Sequence, residues 1–329
     1  MTTVTDTDLA RTLRRAAIRA TRAPSVHNTQ PWRFVVREGG LDILVDWTRR
    51  LTVLDPRGRQ LLMSCGCAVF NARVALAAAG LRVSVERFAD PTRPDVVARL
   101  VPSGSWAPDP VLARLEPAID TRQTNRRRFT DEAVPDEVIE VLREAAHAEG
   151  SELFHVASEE HRTALATLSR LADRIENADP GYRAELRRWT SDDPRRLDGV
   201  PAFSVAHVTG RAHDDIPLRD FDTRGMGWLP DSTESSARQC LVLLGTNADN
   251  PAAWGQCGEA LERVLLEISR LGFTSSPLTQ VIEVPRTHAE LRDALHLWMH
   301  PHILIRIGKA PLTIPTRRRR LVEVMAVEE

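Results

Sequence analysis

The sequence predicts an α+β fold in which mixed, mainly antiparallel sheets are flanked by helices. Segments with helical periodicity alternate along the chain with short apolar runs typical of strands. The first two such runs, Arg33 to Val36 and Leu41 to Val45, enclose Glu38-Gly39-Gly40 and therefore predict a hairpin, which argues against a purely parallel sheet. With 329 residues, the chain exceeds the usual domain of roughly 100 to 200 residues, so two lobes or one large unit are expected.

The first third of the chain also contains two predicted helices and a third strand. Apolar residues from Leu9 to Ala20 recur at helical spacing, and this helix ends before a proline. Gln60 to Ala79 is apolar on most sides, which predicts a buried helix ended by Gly80. Leu81 to Phe88 alternates as a strand does. No element is predicted for the proline-rich stretch from Pro91 to Pro110.

From Val111 onwards, helices and strands continue to alternate, with one long interruption. The predicted helices are Val134 to Ala148, Glu160 to Ile175, Ala252 to Leu271 and Thr287 to Leu295, and the predicted strands are Leu153 to Val156, Cys240 to Thr246 and His302 to Ile307. Phe273 to Gln280 is predicted to be a turn. The interruption, Asp179 to Ser236, is irregular, and its aromatic residues Trp189, Phe221 and Trp228 favour a packed lid over disorder.

Composition excludes several classes of function. Lys and Arg number 44 against 45 Asp and Glu, so no overall field attracts nucleic acid or an anionic membrane. No apolar run approaches the roughly 20 residues needed to span a bilayer, and the polar N-terminus lacks a secretory pattern, so a cytoplasmic protein is expected. The four cysteines form no C-x-x-C pair and are interpreted as core residues, with no metal site. Neither a G-x-G-x-x-G motif nor a P-loop occurs.

A short polar turn, Ala23 to Phe34, carries the most specific signal in the chain. Two prolines fix the backbone dihedral φ and withhold two backbone donors, so the turn between them is stiff. Ser25, Asn28 and Gln30 offer hydroxyl and amide groups at nearly fixed positions. Such a turn suits a flat ligand that is rich in donors and acceptors. The residues alone fit an ordinary connector with a core tryptophan equally well.

A second polar segment contains Arg122, Thr124 and Arg126 at a spacing of two. On an extended backbone these side chains project to one side, where two guanidinium groups and a hydroxyl suit a phosphate dianion. A solvated basic stretch is the alternative for these residues, and for the basic tail from Arg317 to Arg320.

Together these motifs resemble the FMN-dependent nitroreductase superfamily, most closely its actinobacterial Acg-like branch. The string from Pro24 to Trp32 is similar to the family's Pro-Ser-x-x-Asn-x-Gln-Pro-Trp signature, which lies against the flavin. Arg122 to Arg126 is similar to its Arg-x-Ser-x-Arg phosphate motif, with Thr124 in place of Ser. The resemblance implies an FMN site formed by Pro24, Ser25, His27, Asn28, Gln30, Arg122, Thr124, Arg126, Pro277, Leu278, Thr279, Gln280, Arg318 and Arg319. In it, backbone amides at Thr279 and Gln280 face the flavin N5 and O4.

The distribution of these motifs implies a fused pseudo-dimer. The Pro-Ser turn occurs only in the first half, and the phosphate motif, the turn at Thr279 and the basic tail occur only in the second. The resemblance therefore implies two nitroreductase-like halves, residues 1–110 and 111–329, the second with a lid-like insertion at about 179–236. One FMN per chain and a monomeric pseudo-dimer are expected.

The expected activity is reduction of a small acceptor, a nitroaromatic or a quinone, by NAD(P)H through the flavin. No acid or base side chain is required, because the cofactor carries the chemistry. An FMN-storage protein whose lid covers the flavin is the alternative. A nucleic-acid binder that uses the arginine-rich tail ranks last.

Overall fold

The computed structural model describes residues 6–106, 109–191, 193–201, 204–205, 207–208, 216–222, 229–230, 239–311 and 313–326. The helices are α1 (Asp6–Ala20), α2 (Arg59–Ala78), α3 (Pro110–Ala113), α4 (Ala118–Thr121), α5 (Asp136–His147), α6 (Glu159–Ala178), α7 (Pro180–Arg188), α8 (Pro251–Arg270), α9 (Gln280–Glu283), α10 (Pro285–Ala294) and α11 (Leu321–Val324). The strands are β1 (Trp32–Arg37), β2 (Gly40–Val45), β3 (Leu81–Arg87), β4 (Val96–Trp106), β5 (Glu152–His155), β6 (Thr190–Ser191), β7 (Val200–Pro201), β8 (His207–Val208), β9 (Leu229–Pro230), β10 (Cys240–Thr246), β11 (Thr274–Leu278) and β12 (His300–Gly308).

Two four-stranded sheets form the framework. Sheet 1 has the order β1-β2-β4-β3, and sheet 2 has the order β5-β10-β12-β11. Every neighbouring pair within them is antiparallel. In chain order both sheets consist of two strands, a long helix and two more strands, with the same spatial arrangement. The predicted α+β class with mainly antiparallel sheets is therefore confirmed.

The two long helices α2 and α8 cross at the centre of the molecule. A Cβ atom on Gly66 would lie 2.1 Å from the carbonyl oxygen of Gly255, and one on Gly258 would lie 2.1 Å from that of Met63. Only glycine permits this backbone approach. By length and hydropathy alone α2 could cross a membrane, but 83% of its apolar window is buried, as in a core helix. Both helices contribute side chains to the largest apolar cluster.

The two sheets differ in what joins their first two strands. In sheet 1, β1 and β2 are joined by Glu38 and Gly39, which forms the predicted hairpin, and Gly39 has φ of +79°. In sheet 2, β5 and β10 are separated by residues 156–239, which include α6 and α7. Within the stretch predicted to be irregular, α7 is regular and Trp189 and Phe221 are buried. Trp228 and Ser236 lie outside the described residues.

Two predictions are wrong, and proline explains both. The stretch from Pro91 to Pro110 contains β4, and the predicted turn from Phe273 to Gln280 contains β11. Pro102 of β4 lies beyond the ladder to β2, which ends opposite Leu100. Pro277 lies in β11, an edge strand of sheet 2. An edge position tolerates a missing N–H group, so proline does not break either strand.

All four cysteines are buried and unpaired, as predicted for core residues. The thiol of Cys65 donates to the carbonyl oxygen of Pro31 at 3.3 Å, and that of Cys67 donates to Gly258 at 3.2 Å. Burial raises the pKa of each thiol, to about 12 for Cys240 and Cys257. These thiols are therefore protonated at neutral pH, and none is an activated nucleophile.

Candidate functional site

The turn between α1 and β1 is held in a strained conformation. Val26 to Asn28 forms a single 3-10 turn after Ser25. His27, Asn28 and Gln30 have φ of +46°, +54° and +50°, a region that non-glycine residues seldom occupy. The Ser25 hydroxyl accepts a hydrogen bond from the Gln30 backbone N–H at 2.9 Å. Strain of this kind persists only where neighbouring contacts determine the backbone, which is common at binding sites.

Two amides of this turn connect it to distant segments. The Gln30 side chain is fully buried, donates to the Leu197 carbonyl at 2.8 Å and accepts from the Arg319 backbone N–H at 2.7 Å. The Asn28 amide donates to the Gly199 carbonyl at 3.0 Å and accepts from Arg318 at 3.2 Å. Asn28 also lines the basic pocket described in the next paragraph, whereas Gln30 does not. Gln30 therefore fixes the turn from behind.

A basic pocket lies beside this turn. It is lined by Pro24, Ser25, Asn28, Arg122, Thr124, Arg126 and Arg318, among others. Arg122 follows α4 directly, and the segment after it runs along sheet 2, where Thr124 forms a parallel bridge with Ser275 of β11. The extended segment predicted for these residues thus brings all three side chains to one cavity. The pocket combines a chain segment near residue 25, one near 124 and the tail.

Of the three predicted arginines that line the basic pocket, Arg122 is buried, Arg126 and Arg318 are half-buried, and their charges are incompletely neutralised. Arg122 Nε lies 3.6 Å from Oε1 of Glu262, and Arg318 donates to carbonyl oxygens, Thr316 and Asn28. Within the described part of the chain, Arg126 has no carboxylate partner, and its guanidinium lies 5.4 Å from the ring centroid of Phe221. Burial, with smaller effects of neighbouring arginines, lowers the pKa of Arg126 to about 10 and that of Arg318 to about 9. Both remain charged at neutral pH, so the pocket favours an anion.

An apolar cleft continues from the basic pocket. Pro24, Ser25, Thr124 and Arg126 line both spaces, so the two are contiguous. The cleft has a volume of about 1030 Å³, part of it open to solvent. Its apolar walls come from α2, α8, β12 and the insertion, namely Met63, Leu261, Leu265, Ile303, Val205, Leu218 and Phe221. A long ligand with an anionic end and a flat apolar end fits this shape.

The predicted turn at Thr279 forms one wall of the cleft. Pro277 and Leu278 end β11, Thr279 precedes α9, and Gln280 begins it, and all four line the cleft. The Gln280 amide donates to Asp173 of α6 at 3.1 Å, and Thr279 Oγ1 accepts from Arg219 at 3.0 Å. The edge strand therefore presents these residues at a fixed position.

Two histidines face the cleft with free ring nitrogens. Both nitrogens of His27, and Nδ1 of His302, are buried and have no hydrogen-bond partner among the described residues. His302 Nε2 lies 2.7 Å from Thr246 Oγ1. Burial lowers the pKa of each imidazole to about 3, so both are neutral. A neutral imidazole can donate one hydrogen bond and accept another. Sequence reasoning missed His302, because nothing near it in the chain resembles a motif.

A buried ionic cluster closes one side of the cleft, and sequence reasoning missed it as well. Arg219, in the insertion, donates to Glu283 at 2.6 Å and to the Tyr182 hydroxyl, and lies 3.7 Å from Glu176. Burial opposes ionisation of Glu283, but Arg219 overcomes this and lowers its pKa. Burial raises the pKa of Glu176. Arg219 thus neutralises Glu283, whereas the second carboxylate, that of Glu176, binds its proton more tightly than usual. Nothing in the sequence links residues so far apart.

The structure separates the two arginines predicted for the tail. Arg318 lines the basic pocket, whereas Arg319 does not. Arg319 donates to the Gln30 carbonyl at 3.2 Å and to that of Glu323 at 2.8 Å. Residues after it pack on sheet 1, where Met325 forms a parallel bridge with Phe34. The tail therefore joins the turn to sheet 1 and brings one arginine to the pocket.

No family model matches the chain. Several proteins of Mycobacterium tuberculosis (strain H37Rv) are similar to it over nearly their whole length. Rv3131, named as a candidate NAD(P)H nitroreductase, is 32% identical over 321 residues, which cover 96% of this chain and 91% of that protein. The acg protein, also named as a candidate NAD(P)H nitroreductase, is 30% identical and covers 89% of this chain and 87% of that protein. Rv3127, which is uncharacterised, is 32% identical with coverages of 96% and 93%.

Solved structures of lower identity are also similar. A nitroreductase with bound FMN from Desulfitobacterium hafniense is 13% identical, with a TM-score of 0.41, and covers 65% of this chain and 98% of that one. The FMN- and NADPH-dependent nitroreductase NfnB of a Sphingopyxis strain is 17% identical, with a TM-score of 0.41 and coverages of 65% and 99%.

Proposed function

The chain belongs to the nitroreductase superfamily, in its Acg-like branch, and on this premise we propose that it is an FMN-binding oxidoreductase. NAD(P)H would be the electron donor, and a small nitroaromatic or quinone the acceptor. The observation that carries the proposal is the convergence of Arg122, Arg126 and Arg318 on one pocket that opens into an apolar cleft. Among the described residues, one carboxylate, Glu262, lies within 4 Å of these three arginines, so the pocket favours an anion, and a phosphate monoester meets that preference.

The residues present fit FMN at both ends. Arg122, Thr124, Arg126 and Arg318 would hold the phosphate, supported by Asn28, which accepts from Arg318. The apolar walls and the residues from Pro277 to Gln280 would enclose the ring, together with Pro24, Ser25 and His27, which also line the cleft. We assign Gln30 and Arg319 supporting roles, because each fixes the turn without lining the cleft.

When bound, FMN supplies the two-electron chemistry, and the chain's own residues bind it, orient it and exclude water. No acid or base side chain is assigned. The neutral state of His27 and His302 suits a role in orienting the cofactor, because a neutral imidazole can form hydrogen bonds without contributing charge.

We further propose that the chain is a pseudo-dimer of two fused halves, residues 1–110 and 111–329, with one FMN. The shared strand order of sheets 1 and 2 supports this organisation. The single site takes its turn from the first half, and its phosphate motif and tail from the second. We expect the protein to act in the cytoplasm on small molecules, without a nucleic-acid or membrane partner.

The binding proposal is tested by removing the arginines of the pocket. We expect the purified protein to be yellow, and the double variant Arg122→Ala/Arg126→Ala to be colourless, because each charged hydrogen bond contributes on the order of 1.5 to 3 kcal/mol. Flavin absorbance and released FMN are measured on equal amounts of folded protein. The control is Arg11→Ala/Arg143→Ala, which removes two exposed arginines and the same charge. Full flavin content in the pocket variant would contradict the phosphate assignment.

A storage protein with little turnover is the second candidate, and the insertion favours it. Leu218, Arg219 and Phe221 lie against the cleft, and the ion pair of Arg219 with Glu283 holds them there. Stopped-flow mixing of the yellow protein with NADPH distinguishes the two. Loss of flavin absorbance within seconds supports the enzyme. A spectrum unchanged after many minutes supports storage.

A further inference from the structure

Helix α8 carries a buried carboxylate, Glu262, that the proposed function does not explain. The Glu262 side chain is fully buried, and its helix neighbours Leu261 and Leu265 line the cleft. Within the described residues, its polar neighbours are the Asn71 side chain of α2 and the Arg122 guanidinium. Burying an ionised carboxylate costs several kcal/mol unless a charge compensates it. The charge that lies closest is that of Arg122, whose Nε is 3.6 Å from Glu262 Oε1.

We propose that Glu262 is a positioning residue for the phosphate end of the cofactor and acts by holding Arg122; this inference rests on the proposed function. Glu262 lies beside Nε of the guanidinium, and both side chains are buried. Arg122 Nη2 donates to the Arg22 carbonyl at 3.3 Å, which fixes a second point. A planar guanidinium held at two points keeps one orientation, and Arg122 lines the basic pocket in that orientation.

The direction in which FMN affinity changes when Glu262 is removed distinguishes a positioning role from an effect of its charge alone. If Glu262 acted only through its charge, its removal would leave the pocket more positive and FMN would bind more tightly. If it positions Arg122, its removal releases the guanidinium and FMN binds more weakly. Burial raises the pKa of Glu262 to about 7, with Arg122, a hydrogen bond from Asn71 and Arg318 acting in the opposite direction. Measurements at about pH 8 therefore observe the ionised carboxylate.

The test compares FMN with riboflavin, which has the same ring and no phosphate. Full-length protein freed of flavin is titrated with each compound, and quenching of flavin fluorescence gives both dissociation constants. For Glu262→Gln we expect the FMN constant to rise at least about tenfold and the riboflavin constant to change less than about twofold. A general structural defect would weaken the binding of both compounds alike. The ratio of the FMN and riboflavin dissociation constants is therefore the informative quantity.

Two variants provide the controls. Glu267→Gln changes another buried carboxylate of α8, paired with Arg114 at 2.9 Å and Arg270 at 2.7 Å, whose partners do not line the pocket. We expect its FMN-to-riboflavin ratio to be that of the natural chain. Glu262→Asp keeps the charge but withdraws the carboxylate from Arg122. It too should weaken the binding of FMN more than that of riboflavin. This variant serves as the test if Glu262→Gln does not fold.

A double-mutant cycle with Arg122→Ala shows whether Glu262 acts through that arginine. On the Arg122→Ala background, Glu262→Gln should have no further effect on FMN affinity. Additive effects, unchanged FMN affinity or tighter FMN binding would each overturn the inference. A protein that binds neither FMN nor riboflavin would instead overturn the proposed function, so the two failures are distinguishable.

Discussion

The cleft histidines are neutral because they are buried, and this has a consequence for stability. Burial lowers the pKa of His27 and His302 to about 3 and that of His288 to about 4. In the unfolded chain these imidazoles take up protons near pH 6.5. Between that pH and about 4, the unfolded state therefore binds more protons than the folded state, and the free energy of unfolding falls as pH falls.

His302→Gln tests this dependence. We expect the variant's free energy of unfolding to change less steeply between about pH 6.5 and 4, by up to about 1.4 kcal/mol per pH unit, because one depressed pKa has been removed. Urea unfolding at a series of pH values measures the slope. The control is His147→Gln, at a side chain that is 80% exposed. An identical slope in His302→Gln and the natural chain would show that His302 does not contribute.

At the scale of single residues, the sequence predicts the parts of the site that lie in continuous motifs. The extended segment with Arg122 and Arg126, and the turn after Pro24, both reach the pocket as expected. Arg219 and His302 were not predictable, because their roles arise from contacts across the fold. Gln30 shows the converse. Gln30 belongs to the motif from Pro24 to Trp32, yet its side chain forms hydrogen bonds with backbone atoms of Leu197 and Arg319 and does not line the pocket.

Among the secondary-structure elements, those with strong periodicity are the ones the sequence predicts. The ends of α2, α8 and β10 agree with prediction to within two residues. Strands β4 and β11 are missed because their prolines occupy positions where no ladder hydrogen bond is needed. Such a position depends on the neighbouring strand, which a single sequence does not specify.

One described segment of the insertion, residues 216–222, is held against the cleft by Arg219. This contact predicts how fast a ligand leaves. Arg219→Gln removes the ion pair with Glu283, and breaking a buried ion pair costs about 3–5 kcal/mol. We expect FMN to dissociate at least about tenfold faster, as measured by fluorescence recovery after dilution. Arg286→Gln, which breaks an exposed ion pair with Glu290, is the control. An unchanged dissociation rate would mean that this segment does not retain the ligand.

At the scale of the whole molecule, the repeated strand order explains why one cofactor is expected. Gly66 of α2 faces Gly258 of α8 at the helix crossing. Counted from this pair, Cys67 corresponds to Glu259, and Leu265 corresponds to Arg73. Cys67 and Leu265 line the apolar cleft. At the equivalent place across the crossing, their counterparts form an ion pair of 2.6 Å.

This ion pair belongs to a cluster of arginines around two buried carboxylates, Glu149 and Glu259. Arg73 also contacts Glu149 at 2.5 Å, Arg87 contacts Glu259 at 2.5 Å, and Arg263 contacts Glu149 at 2.7 Å. Under the proposed pseudo-dimer, these three arginines and two carboxylates lie at the counterpart of the cleft. The proposed pseudo-dimer would thus carry its site on one side only. One side of the crossing is an open cleft, and the other is closed by charge pairs.

The cluster predicts both the stoichiometry and the effect of opening it. The natural chain should bind one FMN, measured by titration of flavin-free protein. Arg73→Ala should lower the free energy of unfolding by about 1.5–3 kcal/mol, because Glu149 and Glu259 each lose a charged hydrogen bond while keeping Arg263 and Arg87. FMN affinity should not change, since Arg73 does not line the cleft. Arg114→Ala is the control, because Arg114 is half exposed and contacts a single carboxylate, Glu267, which keeps Arg270. Binding of two FMN molecules by the natural chain, or weaker FMN binding by Arg73→Ala, would contradict the assignment of this side as a closed counterpart.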